Sequence, residues 1–231
     1  MEFLENKFFL IALTFAVFFF GQWLQRRFKV VLLNPILFSM IALIAFLLCT
    51  EISYETYQEG GQFIDFWLKP AVVALGVPLY RQLSTIRKQL LPILLAELAG
   101  CIVGIISVVL IAEMLGASRA VIISLAPKSV TTPIALEIAS TLGGIAPLTA
   151  AVVVCTGIFG NIVGFKIAKL SRIKSPIAGS LSIGTASHAV GTAAAIERGE
   201  RWGAFSSLGL TINGLLTAIL APIILQLLGY N

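Results

Sequence analysis

The sequence predicts an all-α polytopic membrane protein, with about six full spans plus two broken or re-entrant segments in an inverted repeat. Three observations carry this. Of 231 residues, 58% are hydrophobic and 12% charged, with a mean hydropathy of +0.99; a soluble domain carries roughly 25% charged residues. Apolar runs recur at the roughly 20-residue length that crosses a hydrocarbon core. Two polar, helix-breaking stretches interrupt them, Ala126-Pro127-Lys128-Ser129-Val130-Thr131-Thr132-Pro133 and Ala186-Ser187-His188-Ala189-Val190-Gly191-Thr192-Ala193. A bilayer tolerates irregular backbone and charge only where protein or a water-filled cavity surrounds them. The pair therefore marks where a solute would be handled.

The chain begins Met1-Glu2-Phe3-Leu4-Glu5, and an apolar run ends before Arg26-Arg27-Phe28-Lys29. A cleaved signal has the opposite polarity, so residues 7–24 are expected to be a retained first span with its N-terminus outside. Further spans are expected at 30–50, 90–115, 147–166 and 202–228. Residues 63–80 are apolar but interrupted by Pro70 and Pro78. Basic loops at 26–29, 81–88 and 166–174 belong inside by the positive-inside rule, and the acidic 51–61 loop outside. Placing the first two basic loops inside requires 63–80 to cross. Span 90–115 then exits. A single crossing by 119–140 would deliver the third basic loop to the outside, so that segment is expected to enter and return on one side.

Aligning 123–137 on 183–197 pairs Ile123, Ala126, Val130, Thr132, Ala135 and Glu137 with identical residues, and sets Lys128 against His188, the chain's one histidine. One odd crossing separates the copies, so they enter from opposite sides, as in many secondary transporters. Composition shifts nowhere enough to mark a linker, and 1–231 is expected to be a single transmembrane domain with both termini outside.

Lys128 is the sharpest candidate. Proline breaks the helix around it, and Ser129, Thr131 and Thr132 offer hydroxyls beside a helix start suited to an anion. The competing account is a lysine snorkelling to the interface. Around His188 stand Thr185, Ser187 and Thr192, with Gly184 and Gly191 permitting close backbone approach. Histidine titrates near neutral pH and could couple transport to protons; the alternative is a hydrogen bond to a neighbouring helix. Glu97 lies roughly 10 Å along its span, as a proton carrier or counter-ion, or near the interface if the span starts later. Glu137 and Glu197 are expected to pair with Arg119, Arg198 or Arg201. Asn34-Pro35 is expected to cap the second span. Gly100/Gly104 and Gly157/Gly160/Gly164 offer small faces for helix packing, which permit a homodimer without arguing for one.

Cys49, Cys101 and Cys155 sit in apolar stretches as small buried hydrophobes, and their odd count and spacing suggest neither a disulfide framework nor a metal site. The net charge of +5 reports topology rather than nucleic-acid binding. No GxSxG, HExxH or Walker loop occurs, so neither an enzyme nor a cofactor is expected.

Residues 127–135 and 184–193, with Asn34-Pro35, Ser53-Tyr54-Glu55-Thr56-Tyr57, Pro70-Ala71-Val72-Val73-Ala74-Leu75 and Pro78-Leu79-Tyr80, resemble the LrgB/CidB/YohK family of bacterial membrane proteins. The resemblance covers about residue 35 to the C-terminus. It implies a multi-pass protein of the bacterial inner membrane. It also implies two functional traditions. One is a holin-like or antiholin-like protein that modulates murein hydrolase activity and lysis with a small LrgA/CidA-type membrane partner. The other is carriage of small monocarboxylates, as in a plant chloroplast relative that moves glycolate and glycerate, and in bacterial pairs associated with pyruvate uptake. The repeat and the absence of an ATP site favour carriage, with Lys128 and His188 as the carboxylate or proton-coupling positions.

Overall fold

A computed structural model describes residues 4–28, 33–67, 70, 73–74 and 76–230. The chain divides into two compact units, Met1–Ala74 and Leu75–Asn231.

The first unit holds α1 (Lys7–Phe28), α2 (Pro35–Thr50) and α3 (Tyr54–Asp65). Helix α2 starts as its sequence demands. The Asn34 Oδ1 accepts from the N–H groups of Ile36 at 2.9 Å and Leu37 at 3.3 Å, and Pro35 occupies the first turn, where a missing donor costs nothing. Gly21 lets α1 approach Phe38 of α2, since a Cβ there would stand 2.9 Å from its ring. The hydroxyls of Thr14 and Tyr57 bridge α1 and α3 at 2.9 Å.

The second unit holds α4 (Gly76–Arg81), α5 (Leu83–Lys88), α6 (Leu90–Met114), α7 (Arg119–Leu125), α8 (Thr132–Thr141), α9 (Ala146–Leu170), α10 (Pro176–Ile196) and α11 (Glu200–Leu227). Helices α1, α6, α9 and α11 are long and apolar enough to cross a membrane, and α2 is apolar but shorter. The expected span 63–80 lies partly outside the described residues; inside them, α3 ends at Asp65 and the six-residue α4 begins at Gly76.

The first polar stretch is a re-entrant hairpin. Helices α7 and α8 have 7 and 10 residues, roughly 10 and 15 Å of rise, well short of a bilayer core. By Ile145 the chain has returned to the level of α7: its N–H donates to Ser124 Oγ at 2.7 Å. The base of this hairpin buries Ile122, Ile123 and Ile138 against Val109 and Ala112 of α6 and Ile224 and Leu225 of α11. It therefore rises from the C-terminal end of α11.

The second stretch rises from the other end. Helix α10 is broken at His188, whose backbone sits at φ 42, ψ −138. Before the break, Gly179 lies against Trp202 and Gly184 against the Ser206 carbonyl; after it, Ile196 lies against Gly203, and the hydroxyls of Thr192 and Ser206 meet at 3.0 Å. One arm thus climbs the N-terminal half of α11 and the other comes back down it. Glycine is required at 184 because any Cβ would collide with the Ser206 carbonyl. The glycine face of α9 takes the other side of α10, with Gly157 against His188, Gly160 against Ser187 and Gly164 against Ile183.

Some expectations differ from the structure. Among the described residues Glu137 and Glu197 form no ion pair; the salt bridge is Arg81–Glu200 at 3.5 Å, while the Arg198 guanidinium stacks 3.6 Å over the Phe165 ring. Exposed ion pairs gain little over water, and an aromatic face competes well for an arginine. Cys101 is buried as expected, but Cys49 and Cys155 are exposed, and Cys155 lines a groove beside Lys128.

Candidate functional site

The tips of the two hairpins meet at the Asn213 side chain. Its Nδ2 donates to the Ser129 carbonyl of the first hairpin at 3.2 Å and to the Thr185 carbonyl of the second at 3.0 Å. Asn213 lies 13 residues from the start of α11 and 14 from its end (213 − 200 and 227 − 213), near the middle of that 28-residue helix. Both carbonyls are free because of the breaks. The first arm of α10 ends at Ser187, so Thr185 falls in a last turn whose carbonyls lack helical partners. Ser129 lies in the link between α7 and α8, folded tight by Lys128 N–H to the Leu125 carbonyl at 3.1 Å and Val130 N–H to the Pro127 carbonyl at 3.3 Å. Thr217 hydrogen-bonds Asn213 Oδ1 at 3.5 Å and contacts Cys101 Sγ at 3.4 Å, which ties the junction to α6.

Beside this junction lies a cavity of about 370 Å³, within the size range of small-molecule sites. Its polar lining is Glu97, Lys128, Ser129, Ser182, Thr185, Asn213 and Thr217. Gly100 and Gly104 of α6 leave the space open, and a Cβ at Gly104 would meet nothing within 4 Å. Glu97 is 1% exposed. Its Oε1 stands 2.6 Å from Thr185 Oγ1, and its Oε2 is buried without a partner. The same Thr185 hydroxyl lies 2.8 Å from the Leu181 carbonyl. One hydroxyl proton cannot serve both acceptors. If Glu97 carries a proton it donates to Thr185, which then donates to Leu181, and both bonds are made. Lys128 is half-buried, its Nζ donating to Ser129 Oγ at 3.0 Å. Among the described residues no carboxylate pairs with it.

The structure separates the residues that sequence grouped together. Lys128, Ser129, Thr185 and Glu97 line the cavity, and Ser187 lines an adjoining groove with Lys128. His188 does not face the cavity. Its Nε2 stands 2.8 Å from the Val153 carbonyl of α9, because the reversed backbone at 188 turns the ring toward Gly157. Thr192 is engaged with Ser206. Thr131 is the N-cap residue of α8 and Thr132 its first residue, and neither lines the cavity. Asn213, Thr217 and Ser182 escaped the sequence reasoning. An asparagine at the centre of an apolar span was the available signal for the first.

The profile of the LrgB-like family matches residues 14–227. This chain belongs to the LrgB-like family. As a family member it is 38% identical over 218 residues to the protein YxaC of Bacillus subtilis (strain 168), covering 94% of this chain and 95% of the relative. It is 34% identical, with the same coverage, to the holin-like protein CidB of Staphylococcus aureus (strain N315). The antiholin-like protein LrgB of B. subtilis (strain 168) is 34% identical over 230 residues, 99% of this chain and 100% of the relative. No solved structure matches this LrgB-like chain.

Proposed function

We propose that this protein is a secondary carrier of small monocarboxylates of the glycolate, glycerate, lactate and pyruvate kind, coupled to protons and working with a small LrgA/CidA-type membrane partner. The supporting observation is the cavity where two oppositely entering hairpins meet, holding a buried carboxyl group and a lysine that has no acidic partner among the described residues. In this reading Lys128 and Ser129 receive the carboxylate, and Glu97, through Thr185, takes and returns the proton. His188 holds the bend of the second hairpin. Hairpins inserted from opposite sides suit a fixed central site opened alternately to each side.

A second reading is a holin-like or antiholin-like protein that modulates murein hydrolase activity and lysis. It is favoured by the names of the relatives CidB and LrgB, which support it more directly than they support carriage. The geometry favours the carrier, because the cavity has room for one small solute rather than an open pore.

Uptake of labelled glycolate, lactate and pyruvate into right-side-out vesicles, with and without the partner and a pH gradient, tests the proposal. Substrate-limited flux that is lost in Lys128→Ala and loses its pH dependence in Glu97→Gln is the expected result. Absence of uptake for every carboxylate tried, together with leakage of large dyes from liposomes, would establish the second reading instead.

A further inference from the structure

Resting on the carrier reading, we propose that the groove from Lys128 along α9 and α10 to the basic end of the unit is the path by which the carboxylate anion reaches the cavity. Its mouth is a capture site for small anions built from Lys166, Lys169, Arg172, Lys174 and Arg198.

The central cavity shares Lys128, Ser182 and Ala186 with a groove of about 770 Å³. That groove in turn shares Ala168 and Ile173 with a depression of about 630 Å³. The three spaces therefore adjoin in series, with Lys128 at the inner junction. The outer depression is lined by the five basic side chains and by no acidic one. Glu200, the acid next to α11's start, is engaged with Arg81, and Arg198 is held by the Phe165 face rather than by a carboxylate. Among the described residues none of these five cations forms an ion pair, not even Arg198 with the adjacent Glu197, and such a cluster at the mouth of a low-dielectric groove concentrates anions and raises their capture rate. Arg172 also occupies a left-handed position, φ 56, at the end of α9, where glycine is the usual occupant.

The test uses Ser171→Cys, at the seam of groove and mouth, in a Cys49→Ser, Cys155→Ser background whose own flux is the reference because Cys155 lines the groove, reconstituted in zwitterionic liposomes with thiol reagent and substrate applied at the face that bears the basic end. The probe is whichever of labelled glycolate, lactate or pyruvate the parent carries best. Attaching a sulfonatoethyl group there should lower flux at subsaturating substrate about tenfold relative to a trimethylammonioethyl group of similar size, with the gap closing at high salt. Arg198→Gln should raise KM several-fold, and Arg198→Lys should restore it, which gives a readout should the cysteine variant fail to fold. Equal effects of the two adducts, or a charge effect seen only with anionic lipid present, would overturn the path; the latter assigns the cations to lipid headgroups. A parent that carries none of the three solutes would remove the carrier reading itself, whereas a transporting parent indifferent to these charges removes only the path.

Discussion

Replacing Asn213 tests whether one side chain fastens the two hairpins. Asn213→Ala deletes the donors to Ser129 and Thr185 carbonyls, at 3.2 and 3.0 Å, at a residue only 2% exposed. A hydrogen bond contributes about 1 kcal/mol net in proteins, and about 0.6 kcal/mol on average between membrane helices. Two bonds plus two stranded acceptors give a loss of about 1–3 kcal/mol. Asn213→Asp has nearly the same shape but turns an acceptor toward the carbonyls. At pH 8 it should be less stable than Asn213→Ala, with the gap narrowing at pH 5, where a protonated carboxyl restores one donor. Tryptophan fluorescence during titration from mild detergent into sodium dodecyl sulfate measures the difference. An Asn213→Asp protein as stable as the parent at pH 8 would refute the fastening role.

Three further outcomes are expected. Gly184→Ala should lose roughly 3 kcal/mol or fail to accumulate, because its Cβ collides with the Ser206 carbonyl, while Gly104→Ala should fold; equal yields of both in the membrane would contradict the packing of α10 on α11. His188→Gly should be about 1 kcal/mol more stable than His188→Ala, since both lose the Val153 bond but only glycine accepts φ 42 without strain; thermal melts in detergent that rank alanine first would argue against the break at 188. Arg172→Cys, with Cys49 and Cys155 removed, should react with an impermeant thiol reagent in inverted vesicles and not in intact cells. Labelling from outside would reverse the orientation of the hairpins.

The first hairpin was readable because its cues are local and redundant. Pro127 and Pro133 bracket a polar run, and the basic residues of 166–174 forbid a full crossing there. The second was readable only by analogy. No proline marks the bend at 188, and the break rests on one residue held at positive φ between Gly157 and Val153 of another helix. The same locality explains the cap at Asn34, an interaction within four residues, and the failure to pair Glu137 and Glu197, whose partners would depend on which exposed side chains happen to converge.

Sequence alone determined the membrane class, the basic ends of the spans, the two interruptions and their inverted relation, since each depends on hydropathy, charge and backbone chemistry along the chain. It also singled out Lys128 and Glu97, because charge within an apolar run is visible without knowing what surrounds it. Only the tertiary structure decided which polar residues share a cavity. Residue 97 comes from α6, 128 from a hairpin tip, 185 from the other tip and 213 from the last helix; which faces of these elements meet is set by glycine contacts and close packing between segments up to 116 residues apart. That is why His188, aligned with Lys128 in the repeat, turned toward α9 while Asn213, outside the repeat, came to join its two halves.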